Sequence, residues 1–355
     1  MKKIVFTGGG TAGHVSPNIA LIHKLKEKYS PEELEMAYIG GKQGIEKEMI
    51  EREEIPYYGV SGGKLRRYRS LKNLSDPFRV LAGIFQSIRV LRRVKPDILF
   101  SKGGFVAVPP VLAAFFCRVP IIIHESDYSP GLATKISSKV AKIICLTFED
   151  TARYLPKKMT VPTGTPIRKR LQYGEKEKGY AFTGFTDKKP VILVMGGSQG
   201  SKAINQALLQ VLPELTKEYQ IIHLVGKGNA DNMPIEQEGY RCYEFLSEEL
   251  ADAFAITDFV ISRAGSNAIF EFLALKKPML LIPLSLSASR GDQILNAEYF
   301  AKKGYALVLP QEEISADRLL EAVKEIRDKQ SQIKDAMQTS PDGTDAVLAE
   351  IIKYL

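Results

Sequence analysis

The chain has 355 residues, 45% of them apolar and 25% charged, with a net charge of +8 and three cysteines. That length exceeds one ordinary core and predicts two domains of a soluble globular protein. Cys117, Cys145 and Cys242 are scattered and odd in number, which argues against a disulfide framework or a Cys/His zinc site. The longest apolar run, residues 105–117, is short for a bilayer and contains Pro109-Pro110, and only four apolar or small residues stand between Lys3 and the glycines. Neither a spanning segment nor a secretory signal is expected.

In chain order, KIVFTG reads as a buried strand and PNIALIHKLKEKY as the amphipathic helix after it. MAYIGG, DILFSKGG, VPIIIHES and KIICLTF read as further strands, each ending in a glycine or turn cluster. Alternation of strand and helix predicts a mainly parallel sheet. The rhythm resets at KKPVILVMGGSQGSKAINQALLQVL, then continues through YQIIHLVGKG, YRCYEFL, DFVISRAG, KPMLLIPL and YALVLP. Two Gly-rich strand-to-helix openings predict an α/β chain of two Rossmann-like, doubly wound parallel-sheet domains facing across a cleft. The expected domains are residues 1–165 and 166–340, divided near VPTGTPIRKRL, where proline and glycine cluster. A last amphipathic helix, within 341–355, is expected to return to the first domain.

Charge is concentrated. Residues 64–95 hold ten basic side chains against one acid, Asp76, interleaved with Leu74, Phe78, Leu81, Ile84, Phe85, Ile88 and Leu91. An anionic partner surface is implied, unless this is a solvated basic face. No nucleic-acid motif accompanies it.

Residues 7–17, TGGGTAGHVSP, contain Gly8-x-Gly10-x-x-Gly13. A dinucleotide site also needs an acid about twenty residues on, at the end of the second strand. That strand ends in Ile39-Gly40-Gly41, with Glu33 and Glu35 before it. His14 is then either a proton-transfer group or a residue that ties its own loop. His23 and His223 read as structural. GGSQGS, with Ser198, Gln199 and Gly200, suits a pyrophosphate at a helix start, or a tight turn with a serine cap. Gly103 and Gly104 permit close approach after the strand DILFS. Glu271 suits either the two hydroxyls of a ribose or a helix dipole. Ser266 or Asn267 can cap its helix. Asp292, Gln293 and Asn296 suit either sugar hydroxyls or caps.

Taken together and in order, GGGTAGHVSP, KGGFV, HESDYSPGLATK, GTPIR, GGSQGS with Asn205, SRAGSNAIFE and DQILNA resemble the MurG family. These are the UDP-N-acetylglucosamine:lipid I N-acetylglucosaminyltransferases of peptidoglycan synthesis. The resemblance covers nearly the whole chain. It implies a GT-B fold and inverting transfer of GlcNAc from UDP-GlcNAc to the 4-hydroxyl of MurNAc in lipid I, giving lipid II. It implies no cofactor, no obligatory metal and no nucleic acid. It also implies a peripheral place on the cytoplasmic face of the cell membrane, with residues 64–95 against anionic lipid.

By the same resemblance His14 is the base or an acceptor-site polar group, and His124 and Glu125 line the cleft in catalytic roles. Arg168 and Ser198 meet the diphosphate, Glu271 the ribose, the backbone near Leu246 the uracil, and Gln293 the GlcNAc hydroxyls. Asn205 supports that site, and Thr11, Gly13 and Gln199 belong to the UDP-GlcNAc side. Gly10, Gly103, Gly104 and Asp127 belong to the acceptor side. The family's HEQN is here HESD, which puts a carboxylate at Asp127, and its GNP is Gly164-Thr165-Pro166. The stretch SLSASRGDQ before Gln293 also departs from the common pattern. The alternatives are a diacylglycerol-type GT-B glycosyltransferase, a UDP-GlcNAc 2-epimerase-like enzyme, and a sugar-nucleotide-binding protein without turnover. An NAD-dependent oxidoreductase is disfavoured by the missing strand-end acid.

Overall fold

A computed structural model describes the chain except residues 63–71, 198, 232, 235 and 338–341, and except the side chains of 72–75, 158 and 236. The chain divides into two compact units, Met1–Arg168 with Asp342–Leu355, and Lys169–Pro341.

The first unit is built on seven parallel strands: β1 (Lys2–Thr7), β2 (Leu34–Gly41), β3 (Tyr57–Val60), β4 (Ile98–Ser101), β5 (Ile121–Glu125), β6 (Ile143–Leu146) and β7 (Thr160–Pro162). Their order is β3-β2-β1-β4-β5-β6-β7. Successive side chains of a strand point to opposite faces, so a sheet covered on both sides needs apolar residues at every position. Ile4 and Phe6 enter one core with Leu21, Tyr38, Ile98 and Phe100. Val5 enters the other with Ile39, Leu99, Ile121 and Val111. The short β3 and β7 lack the long apolar run that marks the other strands. β3 instead extends the sheet by pairing Tyr57 beside Tyr38, the two rings stacked at 5.9 Å.

The C-terminal helix Gly343–Ile352 belongs to this first unit. Asp342 caps it by accepting from Thr344 N at 2.8 Å. Thr344 Oγ1 accepts from Ile167 N, and Gly343 N donates to the Thr165 carbonyl. Val347, Leu348 and Ile351 then fill the core beside Ile4 and Phe6.

The second unit carries β8 (Val191–Met195), β9 (Gln220–Leu224), β10 (Glu236–Gln237), β11 (Tyr240–Tyr243), β12 (Phe259–Ser262), β13 (Met279–Leu281) and β14 (Ala306–Val308). Their order is β10-β11-β9-β8-β12-β13-β14. All pairs are parallel except β10 with β11, an edge strand of two residues.

Part of the basic window, Lys64 to Arg69, lies outside the described residues. The rest forms a helix, Lys72–Val94. Gly83, Ser87 and Leu91 recur at helical spacing and are buried. A Cβ on Gly83 would lie 3.1 Å from Pro109, so this face packs on the helix Val108–Phe116. The opposite face leaves Phe78 73% and Phe85 71% exposed, with Leu81 and, from the neighbouring helix, Phe115 and Phe116. Arg79, Arg89, Arg92 and Arg93 are also exposed. Among the described residues no helix is long and apolar enough to cross a membrane.

Ile351 is fully buried, so Ile351→Ala should lower the unfolding free energy by about 2–5 kcal/mol. Asp345→Ala, at an exposed position of the same helix, should change it by less than about 0.5 kcal/mol. Urea denaturation followed by circular dichroism distinguishes the two.

Candidate functional site

The first candidate site forms where β1 and β4 end. Gly8–Gly10 turn the chain into a single 3-10 turn, Ala12–His14, and then into the helix Ser16–Lys28. A Cβ on Gly8 would meet the His14 carbonyl oxygen at 2.5 Å. Asn18, fully buried in the helix, donates to Thr7 O and to the Tyr38 hydroxyl, which donates to Gly8 O. Burial keeps the Tyr38 hydroxyl protonated far above its ordinary range. Gly103 and Gly104 take φ of +89° and +82°, a region that favours glycine. A Cβ on Gly104 would lie 2.3 Å from the Gly9 carbonyl oxygen, so the two glycine turns pack backbone on backbone. His14 is half-buried beside them, its Cδ2 3.7 Å from where a Cβ on Gly103 would lie. Its Nδ1 is 2.9 Å from Thr11 Oγ1. With Nδ1–H donating to Thr11, Nε2 carries the lone pair that a base requires. His14, Thr11, Gly10, Gly103 and Gly104 are thus brought together.

A phosphate cradle needs outward backbone N–H groups. Gly10 N instead donates at 3.2 Å to Oε2 of Glu46, a carboxylate only 1% exposed. Glu46 Oε1 accepts from Gly41 N at 3.1 Å. The acid sought at the end of the second strand therefore exists, five residues beyond Gly41 and turned inward. The glycines at 40, 41 and 44 ahead of Glu46 are the signal that could have found it.

His124 and Glu125, expected to line a cleft, are buried. His124 Nε2–H donates to the Gly164 carbonyl at 2.8 Å. Burial and the Lys102 ammonium hold the ring neutral, well below its ordinary pKa. Glu125 clamps its own loop, accepting from Asp127 N at 2.9 Å and from Gly131 N at 3.1 Å. Side chains so placed position a loop and do not reach solvent. Lys102, not singled out in the sequence, is buried and donates to Ser126 Oγ. Burial lowers its pKa to about 8, against the raising influence of Glu125 and Asp127. A cation thus accompanies the carboxylate that HESD introduces at Asp127. Its signal is a lysine between the strand ILFS and two glycines.

In the second unit the polar residues gather at the carboxyl ends of β8, β9, β12 and β13. Ser198 lies outside the described residues. Ser201 is the observed cap of the helix Lys202–Glu218, accepting from Ile204 N. A Cβ on Gly200 would meet the Val225 carbonyl oxygen at 1.8 Å, and one on Gly226 would meet Gly200 N at 2.2 Å. Gln199 is exposed, and its carbonyl accepts from Asn229 Nδ2. Asn205 faces inward: its amide donates to Val225 O, and its Oδ1 faces His223 Nε2 at 3.1 Å. His223 Nδ1 lies 2.8 Å from the Tyr240 hydroxyl. Burial pushes His223 down to about 3.

Glu271 is 8% exposed on the helix Ser266–Ala274. Gly265, and neither Ser266 nor Asn267, occupies the cap of that helix. Gln293 Oε1 accepts from Leu284 N at 3.1 Å. Asn296 is fully buried and donates to the Ala264 carbonyl, so it holds the turn that follows β12. Leu246 and Arg168 are half-buried, and Thr11 is exposed. Arg263 was missed. Its guanidinium joins four acceptors, the carbonyls of Ile282 and Pro283, Ser201 Oγ and Gln311 Oε1. Among the described residues no three His, Cys, Asp or Glu side chains gather as a metal site.

Residues 4–145 match the glycosyltransferase family 28 N-terminal domain, and residues 191–351 its C-terminal domain. The chain is 54% identical over 338 residues, 95% of each chain, to a Bacillus anthracis protein. That protein is named UDP-N-acetylglucosamine--N-acetylmuramyl-(pentapeptide) pyrophosphoryl-undecaprenol N-acetylglucosamine transferase 2. It is 57% identical to a transferase of the same name, without the number, from Lachnospira eligens, over 92% of this chain and 91% of the other. The crystal structure of Acinetobacter baumannii MurG superimposes with a TM-score of 0.75 at 24% identity, covering 99% of this chain and 100% of the other.

His124 and His223 generate a pH dependence. Both are neutral when folded, and unfolding returns each to about 6.5. Below that value the unfolded chain binds more protons, so stability is lost as pH falls. The His223 contribution is whole above about pH 6.5 and declines toward pH 3 by about 1.4 kcal/mol per unit. His223→Asn should flatten the slope of unfolding free energy against pH between about 4 and 6. An unchanged slope would mean that His223 is not held neutral.

Proposed function

Because the chain belongs to glycosyltransferase family 28 and has a GT-B fold, we propose that it is an inverting N-acetylglucosaminyltransferase, moving GlcNAc from UDP-GlcNAc to the 4-hydroxyl of MurNAc in lipid I. The product is lipid II, the lipid-linked unit of peptidoglycan. The observation that carries this function is 54% identity to a so-named transferase over 95% of both chains.

Inversion needs a base on the acceptor hydroxyl, in-line attack at the anomeric carbon, and stabilisation of departing UDP. We assign the base to His14 Nε2, with Nδ1–H held by Thr11. General base catalysis contributes about 10²–10⁴-fold. Gly103 leaves room for the acceptor beside His14, while Gly104 lets its turn close on the Gly9 backbone. On the donor side the 17-residue helix Lys202–Glu218 presents its N-terminus after a glycine turn, a suitable seat for a diphosphate with Ser198. Glu271 would accept from the ribose hydroxyls, the backbone near Leu246 would read uracil, and Gln293 would contact GlcNAc. Gln199 would join the diphosphate turn, with Asn205 bracing it from behind. His124, Glu125 and Asp127 act as positioning groups of the acceptor side.

The exposed face of Lys72–Val94 is the part of the chain suited to a lipid acceptor. Phe78, Leu81 and Phe85 can enter the interfacial region of a bilayer while the arginines meet anionic headgroups, each worth about 1 kcal/mol. The protein would thus work as a peripheral protein on the cytoplasmic face.

UDP release should depend on a lipid I analogue and persist in EDTA. His14→Ala should lower kcat by about 10²–10⁴-fold without weakening UDP binding. Release without acceptor would point to hydrolysis or epimerase chemistry, and binding without release would remove the transferase assignment. Replacing Phe78 and Phe85 together by Asp should reduce partition onto anionic vesicles at least about tenfold, since each buried aromatic contributes about 1.5–3 kcal/mol. Turnover of a short-chain, water-soluble acceptor should be unaffected. Equal partition of the variant and parent would end the membrane assignment.

A further inference from the structure

We infer that Glu46 is a positioning residue for transfer: its buried carboxylate sets the backbone of the loop that carries His14. The inference rests on the acceptor-side assignment of that loop.

Three glycines from two separate loops surround this one side chain. A Cβ would approach the Glu46 side chain to 2.7 Å from Gly9, 2.7 Å from Gly41 and 2.5 Å from Gly44. At Gly44 the three nearest atoms all belong to Glu46, and its φ of 178° is one any residue adopts. Glycine at 44 is therefore required by the carboxylate and not by the backbone. The carboxylate in turn accepts from Gly10 N and Gly41 N, one bond to each oxygen. Hydrogen bonds to an ionised acceptor are about twice as strong as neutral ones, and leaving a buried charge without them is unfavourable. The bond at Gly10 thus fixes the backbone orientation immediately before Thr11. Thr11 holds His14 twice, through Oγ1 to Nδ1 at 2.9 Å and through its carbonyl to His14 N at 3.1 Å. The path from Glu46 to the proposed base runs through one hydrogen bond, two residues and the Thr11 contact. A loop displacement of about 1 Å at a reacting group lowers turnover by about a hundredfold.

The same placement accounts for the failure of the dinucleotide pattern. The strand-end acid of a dinucleotide site faces a ribose, whereas Glu46 turns back into the loop and holds its amides.

The test uses Gly44→Ala, Glu46→Ala and the double variant, assayed with saturating UDP-GlcNAc and a lipid I analogue. Gly44→Ala keeps the charge and displaces the carboxylate. It should lower kcat about 10- to 100-fold, with the KM for UDP-GlcNAc changed less than about twofold. Glu46→Ala should lower kcat at least as much. The double variant should be no worse than Glu46→Ala alone, because the methyl then has nothing to displace. Thermal melts and circular dichroism at the assay temperature establish that each variant is folded. If Glu46→Ala does not fold, Gly44→Ala decides. A folded Gly44→Ala enzyme with parental kcat overturns the inference, as does a loss that multiplies in the double variant. His14→Ala run alongside separates the two claims. Full activity there removes His14 as base, and a kcat loss in Gly44→Ala still supports Glu46 acting through the loop backbone.

Discussion

Backbone packed directly on backbone is the constraint from which the candidate sites follow. In the first unit the turns after β1 and β4 approach so closely that no Cβ fits between Gly104 and the Gly9 carbonyl. In the second unit the turns after β8 and β9 do the same at Gly200, Val225 and Gly226. Parallel strands end on one edge, so within each unit these turns open in the same direction. The candidate groups His14 and Gln199 are carried just beyond such a glycine turn.

Beneath these turns lies a buried layer of polar groups. Burying a charge is unfavourable unless it is paired or saturated with hydrogen bonds. Glu46 and Glu125 each take two backbone N–H groups, and Arg263 reaches four acceptors. Asn205 and His223 complete a neutral network with Tyr240. Lys102 sits under Ser126 with Glu125 and Asp127 opposing its desolvation. This layer gives rigidity to the groups above it, which is the condition for placing a base or an oxyanion donor. It also explains why His124 and Glu125 belong with the scaffold despite standing in a motif shared with an enzyme family.

The amphipathic helix Lys72–Val94 shows how one element serves two environments. Its Gly83, Ser87 and Leu91 face is fixed by close packing on the neighbouring helix, while Phe78 and Phe85 remain outside. Large aromatic side chains left in water on one helix face form a contiguous apolar patch, which is why this face carries the membrane proposal.

By itself the sequence determined the parallel strands, the two glycine-opened units and the position of His14 in its turn. These follow from local rules: continuous apolar runs, helical spacing and the conformational freedom of glycine. It ended the second strand in Ile39-Gly40-Gly41 and left Glu46, five residues on, without a role. Only the tertiary structure decided where Glu46 points, that His124 is buried against Gly164, and that Asn296 holds a carbonyl. The C-terminal helix was legible as a helix, but its bonds to Thr165 and Ile167 were not. The physical reason is distance along the chain. A side chain's period and its neighbours are written locally, whereas its hydrogen-bond partner is set by strands and loops tens of residues away, meeting only once the sheet has closed over them.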